Sequence, residues 1–273
     1  AAMIVYQLPL IAFAWVMLIE TILASLALFG VYWKQNNVPK KWKTSRADLF
    51  LLIKDGISLI LMTIFLGIYT KIDQVMINQI LGDKASGIYA AAVVFAESWF
   101  FLAIIFTHSI FPKLIQQREE NNDAFLNSLT AFYALMFWMP VLAGILIFIF
   151  VDVIIQLAYG QEYLESAPVL KTYVWAGVLV FVITASSRWF LIVGNTRGLA
   201  QRALLGVIAN ISLNIVLINM FGLVGAALAT LVSYFLVAYI YDFFDDLARP
   251  QLSLKAEAIA FPIKLIGRVY ARR

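Results

Sequence analysis

The chain has 273 residues, of which 63% are hydrophobic and only 13% are charged, and its mean hydropathy is +0.89. Soluble domains average about 45–50% apolar and about 25% charged residues, so this composition excludes a water-soluble globule. The net charge is +4, and the absence of cysteine excludes disulfides and thiolate metal sites within these residues.

Long apolar runs follow one another along the chain, with short polar loops between them. Runs of 18 or more apolar residues predict transmembrane helices, whereas the strands of a membrane barrel show about ten residues of alternating hydrophobicity. We predict spans at 9–33, 50–76, 88–111, 125–151, 169–193, 203–220 and 223–241. The predicted fold class is therefore all-α, a polytopic membrane bundle of about seven transmembrane helices.

Proline, glycine and the first residues refine this picture. We expect Pro112 to end the third span. Two glycines, Gly222 and Gly225, predict a tight hairpin between the sixth and seventh spans. The chain begins with apolar residues, without a charged segment or a cleavage site, so we expect no signal peptide but a fragment that starts in or just before a helix. The longest connection, 152–168, has 17 residues, which leaves no room for a catalytic domain outside the membrane.

The positions of lysine and arginine predict the orientation of the bundle. With the loop 34–47 placed on one side, that side collects 15 basic residues and the other side only three. Basic loops stay in the cytoplasm, so we expect the loop 34–47 and the C-terminus to be cytoplasmic and the turn at 81–87 to face outward. The positive net charge is thus explained by topology and requires no nucleic acid.

Ionisable side chains inside the spans are the candidate functional residues. Each costs about 2.5–3.5 kcal/mol on insertion scales, so such a residue usually faces the bundle interior or a water-filled cavity. The ionisable candidates are Glu20, Asp55, Asp73, Glu97, His108 and Arg188. None of the common catalytic or nucleotide-binding motifs is present, and we predict no enzyme, no cofactor and no metal site.

The second span carries the most unusual polar stretch. Asp55 and Asp73 are 18 residues apart, which is five turns of a continuous helix, so both are expected on one face. Asp73 and Gln74 are cavity candidates, although an interfacial capping or pairing role for Asp73 remains open. Lys71 would lie almost opposite Asp73, and we interpret it as an anchor at the outer interface.

The remaining candidates lie in the third, fifth and sixth spans. Glu97 and His108 are 11 residues apart, about 16 Å along one helix face, and Glu97 could carry a proton or bond a sugar hydroxyl. Arg188 could bind phosphate through its guanidinium fork or reach the cytoplasmic interface. Asn210 and Asn214, one turn apart, line the cavity or join helices by amide hydrogen bonds.

Several short motifs occur in an order and spacing that resemble the Wzx-type polysaccharide flippases of the multidrug/oligosaccharidyl-lipid/polysaccharide exporter superfamily. The motifs are Tyr69, Lys71-Ile72-Asp73-Gln74-Val75-Met76, Leu81-Gly82-Asp83, Gly87-Ile88-Tyr89, Glu97, Trp99-Phe100-Phe101, Phe111-Pro112, Tyr159-Gly160, Tyr163, Asn210, Asn214, Phe221-Gly222, Gly225-Ala226-Ala227 and Thr230.

The resemblance implies two six-helix lobes around a central cavity. The first predicted span is similar to helix six of the family, and the others to helices seven to twelve. Residues 1–47 would then be the last helix of the N-terminal lobe with the inter-lobe loop, 48–247 the C-terminal lobe, and 248–273 a cytoplasmic amphipathic tail. The rest of the N-terminal lobe is an implied partner.

The implied activity is the transfer of an undecaprenyl-pyrophosphate-linked oligosaccharide across the bacterial cytoplasmic membrane, for surface polysaccharides such as O-antigen. The two lobes would expose a wet cavity to each side in turn. Coupling to protons or sodium would fall to Glu97 and Asp73. The implied partners are the lipid bilayer, the lipid-linked oligosaccharide, and a polysaccharide polymerase with other assembly proteins.

Three alternatives stay open. The chain could belong to another transporter of the same superfamily, either a peptidoglycan-precursor flippase or a drug/cation antiporter. It could be a membrane enzyme, but that requires a long loop with convergent acidic or basic residues. It could also be a scaffold of polysaccharide assembly that transports nothing.

Overall fold

The computed structural model describes residues 10–34 and 45–261, and within these ranges the chain is helical, without strands. In the described ranges the helices are α1 Leu10–Lys34, α2 Arg46–Tyr69, α3 Ile72–Leu81, α4 Asp83–Glu97, α5 Phe101–Glu120, α6 Asn122–Tyr159, a 3₁₀ helix Gln161–Ser166, α7 Ala167–Tyr173, α8 Ala176–Ile192, α9 Thr196–Phe235, a π-helical turn Leu236–Ile240, α10 Tyr241–Phe244 and α11 Pro250–Ile259.

The chain divides into two units, residues 1–54 and residues 55–273. The described part of the first unit consists of α1 and the start of α2. Along α1, apolar side chains such as Leu18, Leu23 and Leu28 are exposed, as expected of a helix with apolar surroundings.

A reciprocal cap fixes the start of α2. The Ser45 hydroxyl accepts from the Asp48 N–H at 3.1 Å, and the Asp48 carboxylate accepts from the Ser45 N–H at 3.0 Å. These hydrogen bonds satisfy two amide donors at the helix terminus. They also favour the ionised carboxylate, and they hold the pKa of Asp48 below its usual value.

The predicted polytopic helix bundle is confirmed. Among the described residues, the segments 56–81, 83–120, 122–159 and 196–244 are long and apolar enough to cross a membrane. The pair Gln161–Tyr173 and Ala176–Ile192, bent by 45°, adds a fifth if it is counted as one span. The chain is therefore a multi-pass membrane protein.

The second predicted span is interrupted at Thr70 and Lys71. The Thr70 hydroxyl bonds back to the Leu66 carbonyl at 2.9 Å, and the Lys71 N–H bonds to the Ile68 carbonyl, three residues earlier. Such bonds tighten and end a helix turn. The regular register that would place Asp55 and Asp73 on one face is therefore not continuous, and the Asp55 side chain lies outside the described parts.

The third predicted span is also divided, and its end was predicted wrongly. A tight turn at 98–100 separates α4 from α5, with the Phe100 N–H bonded to the Glu97 carbonyl at 2.9 Å. Pro112 does not end α5, which continues to Glu120. A proline inside a helix removes one backbone donor, and membrane helices tolerate this loss when their surroundings compensate for it. After Pro112, α5 continues into the core, where Leu114 is fully buried.

The hairpin predicted at Gly222 is present inside α9. Gly222 has a φ of 57° and a ψ of −135°, which interrupts the helical backbone. Asn210 and Thr230, 20 residues apart, are within 3.4 Å of each other. In a straight helix they would be about 30 Å apart, so α9 consists of two antiparallel arms. They approach closely at Gly225, where a side chain would collide with the Leu217 carbonyl.

The C-terminal helix α11 packs against α6. Its buried residues are Gln251, Leu254, Lys255 and Ala258, which have the spacing of one helix face. Trp138 on α6 donates from Nε1 to the Ala258 carbonyl at 3.2 Å. In the described part of the tail, α11 thus contacts the helix bundle through a face that contains both polar and apolar residues.

Candidate functional site

The hairpin between α3 and α4 brings two predicted candidates into one buried region. Gly82, with a φ of 86°, joins the two helices, and a hydrogen bond of 2.6 Å between Asn78 and Asp83 closes the turn. The positive φ is a conformation that glycine adopts without strain. Because the two helices run back along each other, residues at similar distances from Gly82 meet, and these include Asp73 and Tyr89.

Asp73 is a buried carboxylate with two hydrogen bonds. Only 3% of Asp73 is exposed. Oδ2 accepts from the Tyr89 hydroxyl at 2.5 Å, and Oδ1 accepts from the Gln74 N–H at 2.8 Å. The carboxylate lies in the first turn of α3, where the helix dipole favours negative charge. No ion pair with Asp73 is found among the residues of 10–34 and 45–261.

Glu97, at the end of α4, forms the second carboxylate of the site. Oε1 accepts from the Tyr173 hydroxyl at 2.7 Å, and Oε2 is 3.8 Å from Lys71 Nζ. The Glu97 side chain is 26% exposed and that of Lys71 is 62% exposed. Lys71 therefore pairs with Glu97 and not with Asp73. The Glu97 carboxylate is hydrogen-bonded and also partly exposed at the surface of the bundle.

Two tyrosines connect the carboxylates. The rings of Tyr89 and Tyr173 pack edge to face with their centroids 6.3 Å apart. The order of contacts is thus Asp73, Tyr89, Tyr173 and Glu97, with Lys71 at the open end. We refer to these five residues as the tyrosine–carboxylate cluster. Each tyrosine hydroxyl donates to a carboxylate, so the buried Asp73 carboxylate does not depend on water for its hydrogen bonds.

A ladder of side-chain amides and a hydroxyl continues from this cluster into α9. Asn214 Nδ2 donates to Asn210 Oδ1 at 2.9 Å, and Asn210 Nδ2 lies 3.4 Å from Thr230 Oγ1. All three residues are buried, and the Thr230 hydroxyl also interacts with that of Tyr89. Among the described residues, Asn214 Oδ1 has no hydrogen-bond partner. The ladder joins the two arms of α9 and extends the polar region beneath the carboxylates.

Two other predicted residues of the second unit, His108 and Arg188, do not join this cluster. His108 is exposed on α5, and in the first unit Glu20 is exposed on α1. The turn at 98–100 interrupts the register that would give His108 and Glu97 a common face. Arg188 is half-buried, and its guanidinium lies 5.0 Å from the centre of the Phe111 ring. The Gln74 side chain is half-buried, and the residue contributes its backbone N–H to Asp73.

Reasoning from the sequence did not single out the two tyrosines as site residues. Tyr89 could have been found by counting from the turn, since it lies seven residues after Gly82 and Asp73 lies nine before it. No local signal indicates Tyr173, which is 76 residues from Glu97. A second buried polar group, around Asp242 and Lys255, was also missed.

The chemistry available to the tyrosine–carboxylate cluster is proton exchange and hydrogen bonding to hydroxyls. Carboxylates accept hydrogen bonds, and tyrosine hydroxyls donate and accept them. Within the described ranges, no group of three or more histidine, aspartate or glutamate side chains is placed to hold a metal ion. Glu97 provides the accessible acceptor, and Asp73 lies behind it.

Comparison with known proteins gives two matches. A family described as "Polysaccharide biosynthesis protein" matches residues 4–168. The chain is also 30% identical, over 174 residues, to a probable low-salt glycan biosynthesis flippase of Haloferax volcanii. That alignment covers 61% of this chain and 35% of the relative, so the chain spans about a third of the relative's length. No solved structure matches.

Proposed function

Because the chain belongs to the polysaccharide biosynthesis protein family, the family of the Wzx-type flippases, we propose that it is part of a transporter that moves a lipid-linked glycan across a membrane. The relative from Haloferax volcanii, described as a glycan biosynthesis flippase, supports this proposal. In its finer form, the cargo is an undecaprenyl-pyrophosphate-linked oligosaccharide that travels from the cytoplasmic to the outer leaflet of a bacterial membrane. A polysaccharide polymerase and other assembly proteins would act on the same glycan.

The observation that carries the proposal is the tyrosine–carboxylate cluster. Buried charges are costly in a membrane bundle and usually belong to the path of a substrate or an ion. A glycan cannot cross hydrocarbon unless its hydroxyls find polar partners, and Glu97 offers carboxylate oxygens that remain partly exposed. Tyr173 holds the same carboxylate in a fixed position through its hydroxyl.

The arrangement of the two acids also supports ion coupling. Glu97 is accessible and Asp73 is buried behind it, with two tyrosine hydroxyls between them. A proton or a sodium ion that reaches Glu97 would compete with Lys71 for its carboxylate. We propose that this exchange accompanies the alternating exposure of the cavity.

The experiment that tests the proposal uses the full-length protein in a strain that lacks its own flippase. Glu97→Gln and Asp73→Asn keep side-chain size and remove the negative charge. We expect both variants to reduce surface glycan at equal protein levels, and to change the dependence of flipping on the proton or sodium gradient. Glu165→Gln, an exposed acid in the 3₁₀ helix, is the matched control and should behave like the wild type.

Two results would contradict the proposal. If the unaltered full-length protein does not restore surface glycan, the chain is not part of a glycan flippase that works in that strain. If it restores the glycan but both variants are fully active with an unchanged ion dependence, the cluster is not the functional site.

A further inference from the structure

A second polar group lies at the end of the last span, and none of its residues was predicted from the sequence as a site residue. The ammonium of Lys255 is held there by three oxygens. Nζ donates to the Asp242 carboxylate at 2.6 Å, to the Ala238 carbonyl at 2.6 Å and to the Ser186 hydroxyl at 3.3 Å. We refer to these three oxygen ligands as the cation cradle. The side chains of Lys255 and Asp242 are almost completely buried.

The backbone at the cradle departs from a regular helix. The Tyr241 N–H bonds to the Leu236 carbonyl, five residues earlier, which makes 236–240 a π-helical turn. Single π-turns within α-helices occur frequently at functional sites. The Ala238 carbonyl, one of the three oxygens, lies inside this turn. The turn therefore adds a backbone oxygen to the carboxylate that faces the ammonium.

Neighbouring side chains complete the cradle for a positive charge. The Ser186 hydroxyl donates to Gln251 Oε1 at 2.7 Å, and its oxygen accepts from Lys255 Nζ at 3.3 Å and from the buried guanidinium of Arg202 at 2.9 Å. The Tyr239 and Tyr133 rings lie 5.5 Å and 5.9 Å from Lys255 Nζ. Aromatic faces attract cations over such distances.

The cation and its ligands come from different parts of the chain. Ser186 is on α8, Ala238 and Asp242 are at the end of the last span, and Lys255 is on α11, which follows that span. Burial lowers the pKa of the Lys255 ammonium to about 8, against the opposing influence of Asp242. In the described part of the chain, Asp242 Oδ1 has no hydrogen-bond partner although it is buried. The carboxylate therefore has a free oxygen for a further ligand.

We propose that this cradle is a binding site for a monovalent cation, in which Lys255 of the C-terminal helix is the resident cation and a sodium ion can replace it. Hard cations such as sodium prefer carboxylate, carbonyl and hydroxyl oxygens, which are the three types present. Docking of α11 and binding of sodium are then mutually exclusive. The inference concerns the end of the last span and does not depend on the transported substrate.

The first test removes the resident cation. Lys255→Met keeps an unbranched side chain without the charge, and the purified full-length protein is heated in sodium chloride or in choline chloride at equal ionic strength. We expect sodium to raise the Tm of this variant by about 3–6 °C when its concentration is ten times the dissociation constant. The wild type should respond less than the variant, because Lys255 competes with sodium for the same oxygens, and adding Asp242→Asn to the variant should abolish the effect. If Lys255→Met responds equally to both salts, the group is only a structural ion pair and the proposal fails.

The second test leaves the cradle intact. The 273 residues contain no cysteine, so Leu254→Cys places a thiol on the buried face of α11, next to Lys255. Its reaction with a maleimide reports undocking of the helix. We expect sodium to accelerate the reaction several-fold over choline, and the same cysteine in a protein with Asp242→Asn to react at equal rates in both salts. Equal rates in the protein with intact Asp242 would overturn the proposal, even if the Lys255 variant did not fold.

Discussion

Replacement of Tyr89 by phenylalanine tests the hydrogen bond that holds the buried Asp73 carboxylate. The change keeps the ring, and with it the packing against Tyr173, but removes the donor at 2.5 Å from Oδ2. The other oxygen keeps its bond to the Gln74 N–H. Because only 3% of Asp73 is exposed, water cannot easily take the place of the lost hydroxyl.

The expected cost follows from the charge of the acceptor. Hydrogen bonds to ionised groups contribute about 1.5–3 kcal/mol, compared with about 0.5–1.5 kcal/mol for neutral pairs. A loss of about 2 kcal/mol corresponds to a decrease in Tm of about 4–8 °C for a protein of this size. In a background of Asp73→Asn the acceptor is neutral, so Tyr89→Phe should cost less than about 1.5 kcal/mol.

The assay is thermal unfolding of the four proteins of this double-mutant cycle, purified as full-length protein in the same detergent. Tyr163→Phe is the control, since that ring packs against Tyr159 and no hydrogen bond of its hydroxyl is found in the described residues. It should change stability by less than about 0.5 kcal/mol. If Tyr89→Phe lowers stability no more than the control does, the Tyr89 hydroxyl does not stabilise Asp73. The same conclusion follows if Tyr89→Phe lowers stability equally in the wild type and in the Asp73→Asn background.

The three remaining predictions concern packing and polar contacts elsewhere. Gly225→Ala should abolish folding in an expression and gel-filtration assay, because the added side chain would meet the Leu217 carbonyl. The control Gly87→Ala has open space around it and should be neutral or stabilise by up to about 1 kcal/mol. A Gly225 variant that folds like the wild type would contradict the close approach of the α9 arms. Gln251→Ala should loosen α11 and increase proteolytic cleavage after residue 245, because two buried hydroxyls lose their acceptor, and an unchanged digestion pattern would argue against this docking. Lys71→Met should change thermal stability by less than about 1 kcal/mol, because its ion pair is 3.8 Å long and exposed, and a larger loss would show a stronger pair than the geometry indicates.

Candidate residues could be predicted from the sequence where the signal was local. Asp73 and Glu97 were identified because charges are rare in apolar runs, and the structure places both in one cluster. Lys71 was predicted to lie opposite Asp73, and in the described residues it forms its ion pair with Glu97. This pairing was not foreseen, because Lys71 lies in the break before α3 and Glu97 lies at the end of α4. His108 carried the same kind of signal as Glu97, and it is exposed on α5. A charge in an apolar run thus indicates that a residue is unusual, but not what it contacts.

Register arguments failed where helices were assumed to be continuous. The second and third predicted spans are each interrupted by a turn, at 70–71 and at 98–100. Neither interruption contains proline or glycine, the residues that mark breaks most clearly in a sequence. Pro112, which does carry such a signal, lies inside a continuous helix. The hairpin at Gly222 was predicted correctly, because there the backbone itself requires a conformation that favours glycine.

By itself, the sequence determined the class of this protein. Its apolar runs, short loops and low charge content permit only a polytopic helical membrane protein, since backbone amides in a membrane must be satisfied within helices or closed barrels, and the runs are too long and too uniformly apolar for barrel strands. The order of its motifs also indicated the flippase family. Only the tertiary structure decided which polar groups meet. The tyrosines that hold the two acids and the three oxygens around Lys255 come from separate helices, and the distances between such groups depend on how the helices pack.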